Sequence, residues 1–489
     1  QEEVASRSAQ LAPIADRMPW GPALPVGCLA TLPALLALLP EQAWAQSITF
    51  DELSVPTAQS FQTLHVFYVH GEQDAAAALY GPASVTFALQ QEKEGPKSVQ
   101  SHASYVGLQV HILPQMNFGD MIEKAHFCED RKFKFKRKGR SVSYSITGKS
   151  NVQKSDIKEA SGAYALILSN CAETSTDIKV RGKVSVRNPH GYLPAIDYPK
   201  RTLYGIFALL YTGTSVFWAI LGHPWKSHLY FMQKGIALVN VMGAVECIVF
   251  FFLYEVWNRT GDWSHALFLV AALSSVYKAM VCFRVVLVSA IADDPLYTDE
   301  DGPSASLFVQ ALMAVHMMAD FNYRMVQADK MGKVLSFQQV LMRSVPMILF
   351  GTVIFVWTFM ALNSLVLRLE ERKEKSQARL FWHSLLLVAL SAAGGVLVVA
   401  AQLLDPTGAD ASTWSGHWLY ADGYRQGVFF LLLCGLMAIW RPREEIQGYT
   451  YAGIVDVGVT VGVPSYMDDG ISGDEGAGIE LRQNPRAPD

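Results

Sequence analysis

The sequence predicts a multi-pass α-helical membrane protein, a seven-transmembrane bundle preceded by an N-terminal lumenal all-β sandwich. The 489 residues are 51% hydrophobic and only 17% charged, against about 25% charged in ordinary soluble domains, and the mean hydropathy is +0.19. Nearly all the long apolar runs lie after about residue 202, and each is close to the ~20 residues that a bilayer crossing needs. Before that point the hydrophobic period is two rather than 3.6. A net charge of −4 carries no basic excess of the kind that nucleic-acid binding calls for.

Taken in chain order, residues 1–45 read as a leader and signal peptide. Met18 opens "MPWGPALPVGCLATLPALLALLPEQAWAQ", whose apolar core is too short to span and ends at an Ala-x-Ala pattern, Ala43-Trp44-Ala45, with cleavage before Gln46. Only Arg17 supplies a flanking charge, so an uncut anchor is the competing reading; both send the next segment into the secretory pathway. Residues 46–200 hold short β-branched and aromatic runs such as "LHVFYVH", "SVTFALQQ", "AYALILSNC" and "DIKVRGKVSVR", the pattern of an antiparallel sandwich. Cys128 and Cys171 are its two cysteines, and an oxidising compartment invites one disulfide between them. "RKFKFKRKGR" (131–140) alternates aromatics and cations, as either a basic face for an anionic ligand or an edge strand whose lysines prevent edge-to-edge pairing.

A collar, "VRNPHGYLPAIDYPKR" (186–201), joins sandwich to bundle. Pro189, Pro194 and Pro199 cannot donate backbone hydrogen bonds and are expected to stop the last strand and hold the chain extended. Gly191 permits a sharp turn, and Tyr192 and Tyr198 suit a membrane interface. The expectation is a rigid coupling that also involves Asn188.

The bundle occupies 201–442, with spans near 202–222, 229–254, 265–290, 304–323, 344–367, 380–403 and 425–441. A lumenal residue 46 and seven crossings put the C-terminus in the cytosol. The basic loop "RLEERKEKSQAR" and Arg441 and Arg443 then obey the positive-inside rule, whereas acidic "DDPLYTDEDG" and the loop with Arg324, Lys330 and Lys333 run against it. Asn258-Arg259-Thr260 is a glycosylation sequon on the lumenal side, close to the membrane. The tail, 443–489, is Gly-rich and acidic and reads as disordered; in it Tyr451-Ala-Gly-Ile454 fits a Tyr-x-x-Φ sorting signal.

Charges inside spans mark function or structure. At 1.5 Å per residue Glu246 in span two and Lys278 in span three lie roughly 12 Å and roughly 18 Å below the lumenal ends of their helices, so neighbouring antiparallel helices are expected to bring them together with the Lys stem closing the gap, either as a polar, ion-accessible cavity or as a pair locking two helices, with Arg284 snorkelling to the interface. His316 and Asp320 share one face of span four at a metal-compatible spacing, but a hydrolase needs a third ligand and nothing fixes His383 nearby. No His-Glu-x-x-His, G-x-S-x-G, Walker loop or paired Cys-x-x-Cys occurs, so the chain is not read as an enzyme and calls for no cofactor or metal.

These residues carry a resemblance. "NPHGYLP" resembles the Asn-Pro-x-Gly-Tyr-Leu junction of the GOLD-domain seven-transmembrane (GOST) family, also called the lung seven-transmembrane receptor family. "VECIVFFFLYEVWNRTG" (245–261) is similar to its second span, and Lys278 and Arg284 sit where its third span carries Lys and Arg. "VWTFMALNSLVLRLEERKEKSQARLFWHSLL" resembles its fifth span and basic loop, and "WLYADGYRQGVFFLLLCGLMAIWRPREEIQGYTY" (418–451) its last span, ending in Trp-Arg-Pro. The likeness covers most of 160–451 and lapses over 285–340, where "VVLVSAIADDPLYTDEDG" replaces the family's Gly-Tyr-Gly…Lys-Pro stretch. It implies a GOLD-like sandwich, a Wntless-like architecture, and a Golgi or post-Golgi and endosomal protein of vesicle-mediated trafficking, acting as a sorting receptor or chaperone for membrane-associated cargo. Such a protein would bind an unknown lumenal cargo or ligand, and coat adaptors or a G protein on the cytosolic face. Signalling as an orphan G-protein-coupled receptor and cation conduction through Glu246 are the competing readings; the former lacks Asp-Arg-Tyr after span three and Asn-Pro-x-x-Tyr in span seven.

Overall fold

The computed structural model describes residues 47–443 except 55–59, 72–80, 94–107, 115–127, 130–131, 134–141, 147–150, 158–160, 172–177, 227–228, 230, 292–310, 323–336, 405–415 and 417. The signal peptide with Gln46, the sorting signal at Tyr451 and Ile454, the rest of the tail beyond 443, most of the basic strand 131–140, and the loops that run against the positive-inside rule lie outside the described residues.

Among the described residues ten strands form the N-terminal domain: β1 (Ser47–Ser54), β2 (Ser60–Val69), β3 (Ala83–Lys93), β4 (Leu108–Pro114), β5 (Cys128–Glu129), β6 (Lys132–Phe133), β7 (Val142–Ser145), β8 (Asn151–Ile157), β9 (Gly162–Asn170) and β10 (Ile178–Arg187). They make two four-stranded sheets, ordered β1-β10-β3-β8 and β2-β9-β4-β7, and a short β5-β6 hairpin, all antiparallel. Alternation explains the layering: Val85, Phe87 and Leu89 from one sheet and Val110, Ile112, Leu166 and Leu168 from the other point into one shared core. Phe87 stacks across it on Tyr144 with ring centroids 5.3 Å apart. β9 is buried on both faces, because Ala165 and Ile167 pack outward against Leu113 and Cys171 beside Cys128.

That outer layer is fixed by a disulfide between Cys128 and Cys171, 43 residues apart in sequence. Closing a loop of that length stabilises by roughly 4 kcal/mol on the chain-entropy account. The pair Cys128→Ser/Cys171→Ser is expected to lower the sandwich's unfolding midpoint and leave the bundle's helical signal in place; circular dichroism during heating checks it.

Among the described residues seven α-helices follow: α1 (Tyr198–Gly222), α2 (Phe231–Thr260), α3 (His265–Ile291), α4 (311–322), α5 (Phe337–Glu371), α6 (Lys375–Leu404) and α7 (Tyr424–Ile439). Five, namely α1, α2, α3, α5 and α6, are long and apolar enough to cross a membrane. α7 is shorter, but a π-helical segment, Leu419–Gly423, runs directly into it, so helical structure is unbroken over about the ~20 residues of a crossing. α1 packs on α2, α2 on α3, α3 on α5, α5 on α6 and α6 on α7, which returns to α2 and α1. Burial is inverted relative to a soluble bundle: Gln233, Asn240, Glu246, Lys278 and Gln426 are inside, while Leu209, Ile220, Val396 and Leu431 are exposed, as a hydrocarbon solvent allows.

Two sequence expectations change. Pro199 does not hold the chain extended; it occupies the first turn of α1, where its missing N–H costs nothing and its fixed φ suits a helix. α1 therefore starts four residues before the expected span, and Lys200 and Arg201 are helical. α5 likewise runs from Phe337 to Glu371, beyond the expected 344–367, because helix propensity carries the chain past the apolar stretch that marks the membrane.

Candidate functional site

The collar is a latch. Asn188 and Gly191 exchange backbone hydrogen bonds at 2.7 and 3.1 Å, closing a tight turn around Pro189 and His190. The Asn188 side chain faces the sandwich: its Oδ1 accepts from His70 N–H at 3.1 Å and its Nδ2 donates to Leu193 O at 2.9 Å. Ala195, next to Pro194, donates its N–H to Tyr68 O at 3.1 Å. The other side of the turn faces α2. Tyr192 N–H donates to Asn258 O at 2.9 Å, Leu193 N–H to Asn258 Oδ1 at 3.3 Å, and Asn258 Nδ2 to His190 O at 2.9 Å. Gly191 has φ +139°, and a Cβ there would collide with Asn258 Oδ1 and O, so only glycine allows the approach. Tyr192 lies against Gly261 under the Arg187 guanidinium.

The same packing argues against glycosylation of Asn258, as its nearness to the membrane already does. The residue is 7% exposed, and its amide nitrogen, the atom a glycan would occupy, is spent on His190 O. The folded protein is expected to carry no glycan there; intact mass before and after glycosidase treatment of Thr260→Ala and unaltered protein should show the same number of glycans.

His190 adds pH sensitivity. Its ring lies 3.8 Å from that of Tyr198 and 5.2 Å from that of His70. Burial, and then the neighbouring His70, push its pKa down to about 4; Arg201 adds to this and the hydrogen bond with Leu193 O opposes it. The unfolded value is about 6.5, so the folded state favours neutral imidazole. The stability this contributes is present above pH ~6.5 and is lost as pH falls through about 4. The unfolding midpoint is therefore expected to drop between pH 7 and pH 4.5, and to drop less in His190→Gln.

Below the collar lies a buried ion cluster. Lys200 Nζ reaches Asp197 at 2.9 Å and Asp422 at 3.0 Å. Arg425 bonds Asp422 at 3.1 Å, and Tyr204 donates its hydroxyl to Asp422 at 3.1 Å. Arg201 pairs with Glu255 at 3.2 Å, which also holds Arg259. α1, α2 and the segment before α7 are thereby tied at the sandwich end. Tyr204 continues inward as a stack with Phe250 and Tyr254.

The bundle centre holds a second set. Lys278 Nζ contacts Glu246 Oε2 and donates to Gln426 Oε1 at 3.2 Å; Gln426 Nε2 donates to Glu246 Oε1 at 2.8 Å. Three helices, α2, α3 and α7, thus close one ring of contacts. Phe429 and Tyr211 offer ring faces 4.4 and 5.2 Å from the ammonium, which attract a desolvated cation. Glu246 is fully buried and Lys278 and Gln426 nearly so, so the pair is a helix lock with its charges satisfied, and Arg284 stands six residues further along α3, half-buried. Further along the axis Thr214 donates to Asn240 at 2.8 Å and Gln233 to Trp440 O at 3.2 Å. Among the described residues no group of three or more His, Cys, Asp or Glu is placed to hold a metal; His316 sits near Gly351 of α5 and Asp320 is buried.

Sequence reasoning singled out Glu246, Lys278 and the collar, but not Gln426, Asp422 or Lys200. Gln426 carries no charge to flag it, and Lys200 and Asp422 read as loop residues at a membrane edge.

The chain is similar to Transmembrane protein 87A of Xenopus tropicalis, 22% identical over 60% of this chain and 54% of that protein. It is also similar to Transmembrane protein 87B of Mus musculus, 23% identical over 56% of this chain and 48% of that one. Membrane protein PTM1 of Saccharomyces cerevisiae is 20% identical over 55% of this chain and 53% of its own. The chain spans about half the length of these relatives. The model of the GOST seven-transmembrane domain matches residues 199–447, just over half of the sequence and all seven helices. This is a multi-pass membrane protein, and it belongs to the GOST seven-transmembrane family.

Proposed function

We propose that the protein is a sorting receptor of Golgi and endosomal membranes, binding membrane-associated cargo through a lumenal sandwich and presenting its tail to cytosolic coat adaptors, without catalysing a reaction. The observation that carries this reading is the latch: Asn188 and Asn258 join the sandwich to α2, the helix that holds Glu246 in the bundle centre. A change in the sandwich on binding cargo thus has a stiff path to the other end of the bundle. The orientation is supported by the charge at the end remote from the sandwich, where Arg372, Lys373, Lys375, Arg379, Arg441 and Arg443 outnumber Glu370, Glu371 and Glu374. Cation conduction through Glu246 is the weaker reading, because that carboxylate is already bound by Lys278 and Gln426.

Proximity labelling from tags on the sandwich and on the tail tests the proposal. Secretory cargo on the first side and coat proteins on the second support it. Residence at the plasma membrane alone, without recycling, contradicts it.

A further inference from the structure

α6 and α7 leave an open furrow of about 300 Å3 between them, near the lower end of the size range of small-molecule sites. Its walls are Leu386, Leu387 and Leu390 of α6 and Gly435, Ala438 and Ile439 of α7, with His383 at the rim. Two close contacts hold the helices in register. Gly435 lies so near the Leu387 side chain that a Cβ there would push its methyl groups aside. Trp440 packs its ring on Phe381 at 5.2 Å and donates Nε1–H to Ser384 Oγ at 3.1 Å.

The same register gathers cations at one end. Arg441 follows Trp440, and so lies at the level of Phe381 and Ser384. Arg379 is one turn before His383 on the same face of α6. Arg379, His383 and Arg441 are all exposed. Trp382, 51% exposed, stands at this level and marks it as the membrane interface. Leu386 and Leu390, 49% and 61% exposed, continue from it toward the hydrocarbon. The acidic residues nearest to Arg379 in sequence, Glu370, Glu371 and Glu374, precede α6 and lie at least a turn beyond it; Glu444 and Glu445, three and four residues after Arg441, lie outside the described residues.

An apolar furrow open to acyl chains that ends in two arginines and a histidine at headgroup depth fits one ligand chemistry. We propose that this furrow binds a single anionic glycerophospholipid, with an acyl chain along Leu386–Leu390 and its phosphate among Arg379, His383 and Arg441. Guanidinium forks match phosphate oxygens. A zwitterionic lipid fills the same furrow without the net charge attraction, so the claim is selectivity and not mere lipid contact. It does not depend on the receptor reading, since none of these residues belongs to the latch or the ion clusters.

The test is native mass spectrometry of the full-length protein in mild detergent, titrated with phosphatidylserine or with phosphatidylcholine. One phosphatidylserine should be retained in preference to phosphatidylcholine. Arg379→Gln/Arg441→Gln should weaken phosphatidylserine retention roughly 30-fold, from the usual contribution of each cation near an anionic lipid, and leave phosphatidylcholine unchanged. Ala438→Trp, which fills the furrow and keeps both arginines, should also displace phosphatidylserine; Leu390→Phe replaces it should that protein not fold. Equal retention of the two lipids by the unaltered protein overturns the proposal. So does a charge variant that holds phosphatidylserine undiminished, or a filled furrow that does.

Discussion

Lys278→Met is expected to destabilise the bundle by about 3–5 kcal/mol, the usual cost of leaving one member of a buried ion pair without its partner. Glu246 is fully buried, and after the substitution its carboxylate would keep the Gln426 amide but lose the ammonium opposite it. Removing both charges together should recover most of the loss, because hydrophobic replacement of a whole buried pair is often neutral. Glu246→Gln/Lys278→Met keeps a neutral amide opposite Gln426 and is the matching double variant. Thermal unfolding of the purified protein in detergent reads both. A Lys278→Met protein that melts with the unaltered one would show that the contact holds no net charge interaction. A double variant that melts as low as the single would show that packing around Phe429 and Tyr211, and not charge, is what Lys278 supplies.

Gly191→Val is expected to open the latch. The φ of +139° is strained for a β-branched residue, by about 1–3 kcal/mol from backbone conformation alone. The new side chain would also displace Asn258, and with it the bonds from Tyr192 and Leu193 and to His190. The sandwich itself should survive, since its core lies within and between its own two sheets. The predicted result is therefore selective: a near-unchanged melting midpoint for the sandwich, with protease cleavage newly accessible at 188–198. Asn258→Ala should give a milder version of the same cleavage, because it removes the side-chain bonds and leaves the Asn258 carbonyl.

Much of this architecture is legible in the residues. Period-two runs locate the strands, and apolar runs of helical length locate the spans, because burial against a sheet face or a bilayer imposes those periods. Counting 1.5 Å per residue also places Glu246 and Lys278 within about 6 Å of each other in depth, a gap the Lys stem can close, and the structure has them in contact. Depth along a helix follows from sequence; rotation about it and the identity of the third neighbour do not. Gln426 is the example, a neutral residue 148 positions from Lys278 that only packing brings into the ring. Asp197, Lys200 and Asp422 fail for a related reason. Each looks like a solvated residue at a membrane edge, and only the arrival of all three at one point makes them a buried network. Asn258 shows the converse limit, since a sequon describes three residues and says nothing of whether the amide is already engaged. Pro199 was misplaced because proline ends strands and starts helices alike.

The joint between sandwich and bundle rests on the latch, and hydrogen–deuterium exchange with residue resolution over 188–198 reads it at its own amides. The amides of Gly191, Tyr192 and Leu193 are bonded in the structure, so slow exchange is expected there, comparable with the ends of α2; in Asn258→Ala the Leu193 amide, which loses its side-chain acceptor, should exchange markedly faster than Gly191 and Tyr192 while β9 stays protected. Exchange at 191–193 as fast as in an unstructured peptide, in the unaltered protein at neutral pH, would contradict it and reduce the collar to a tether.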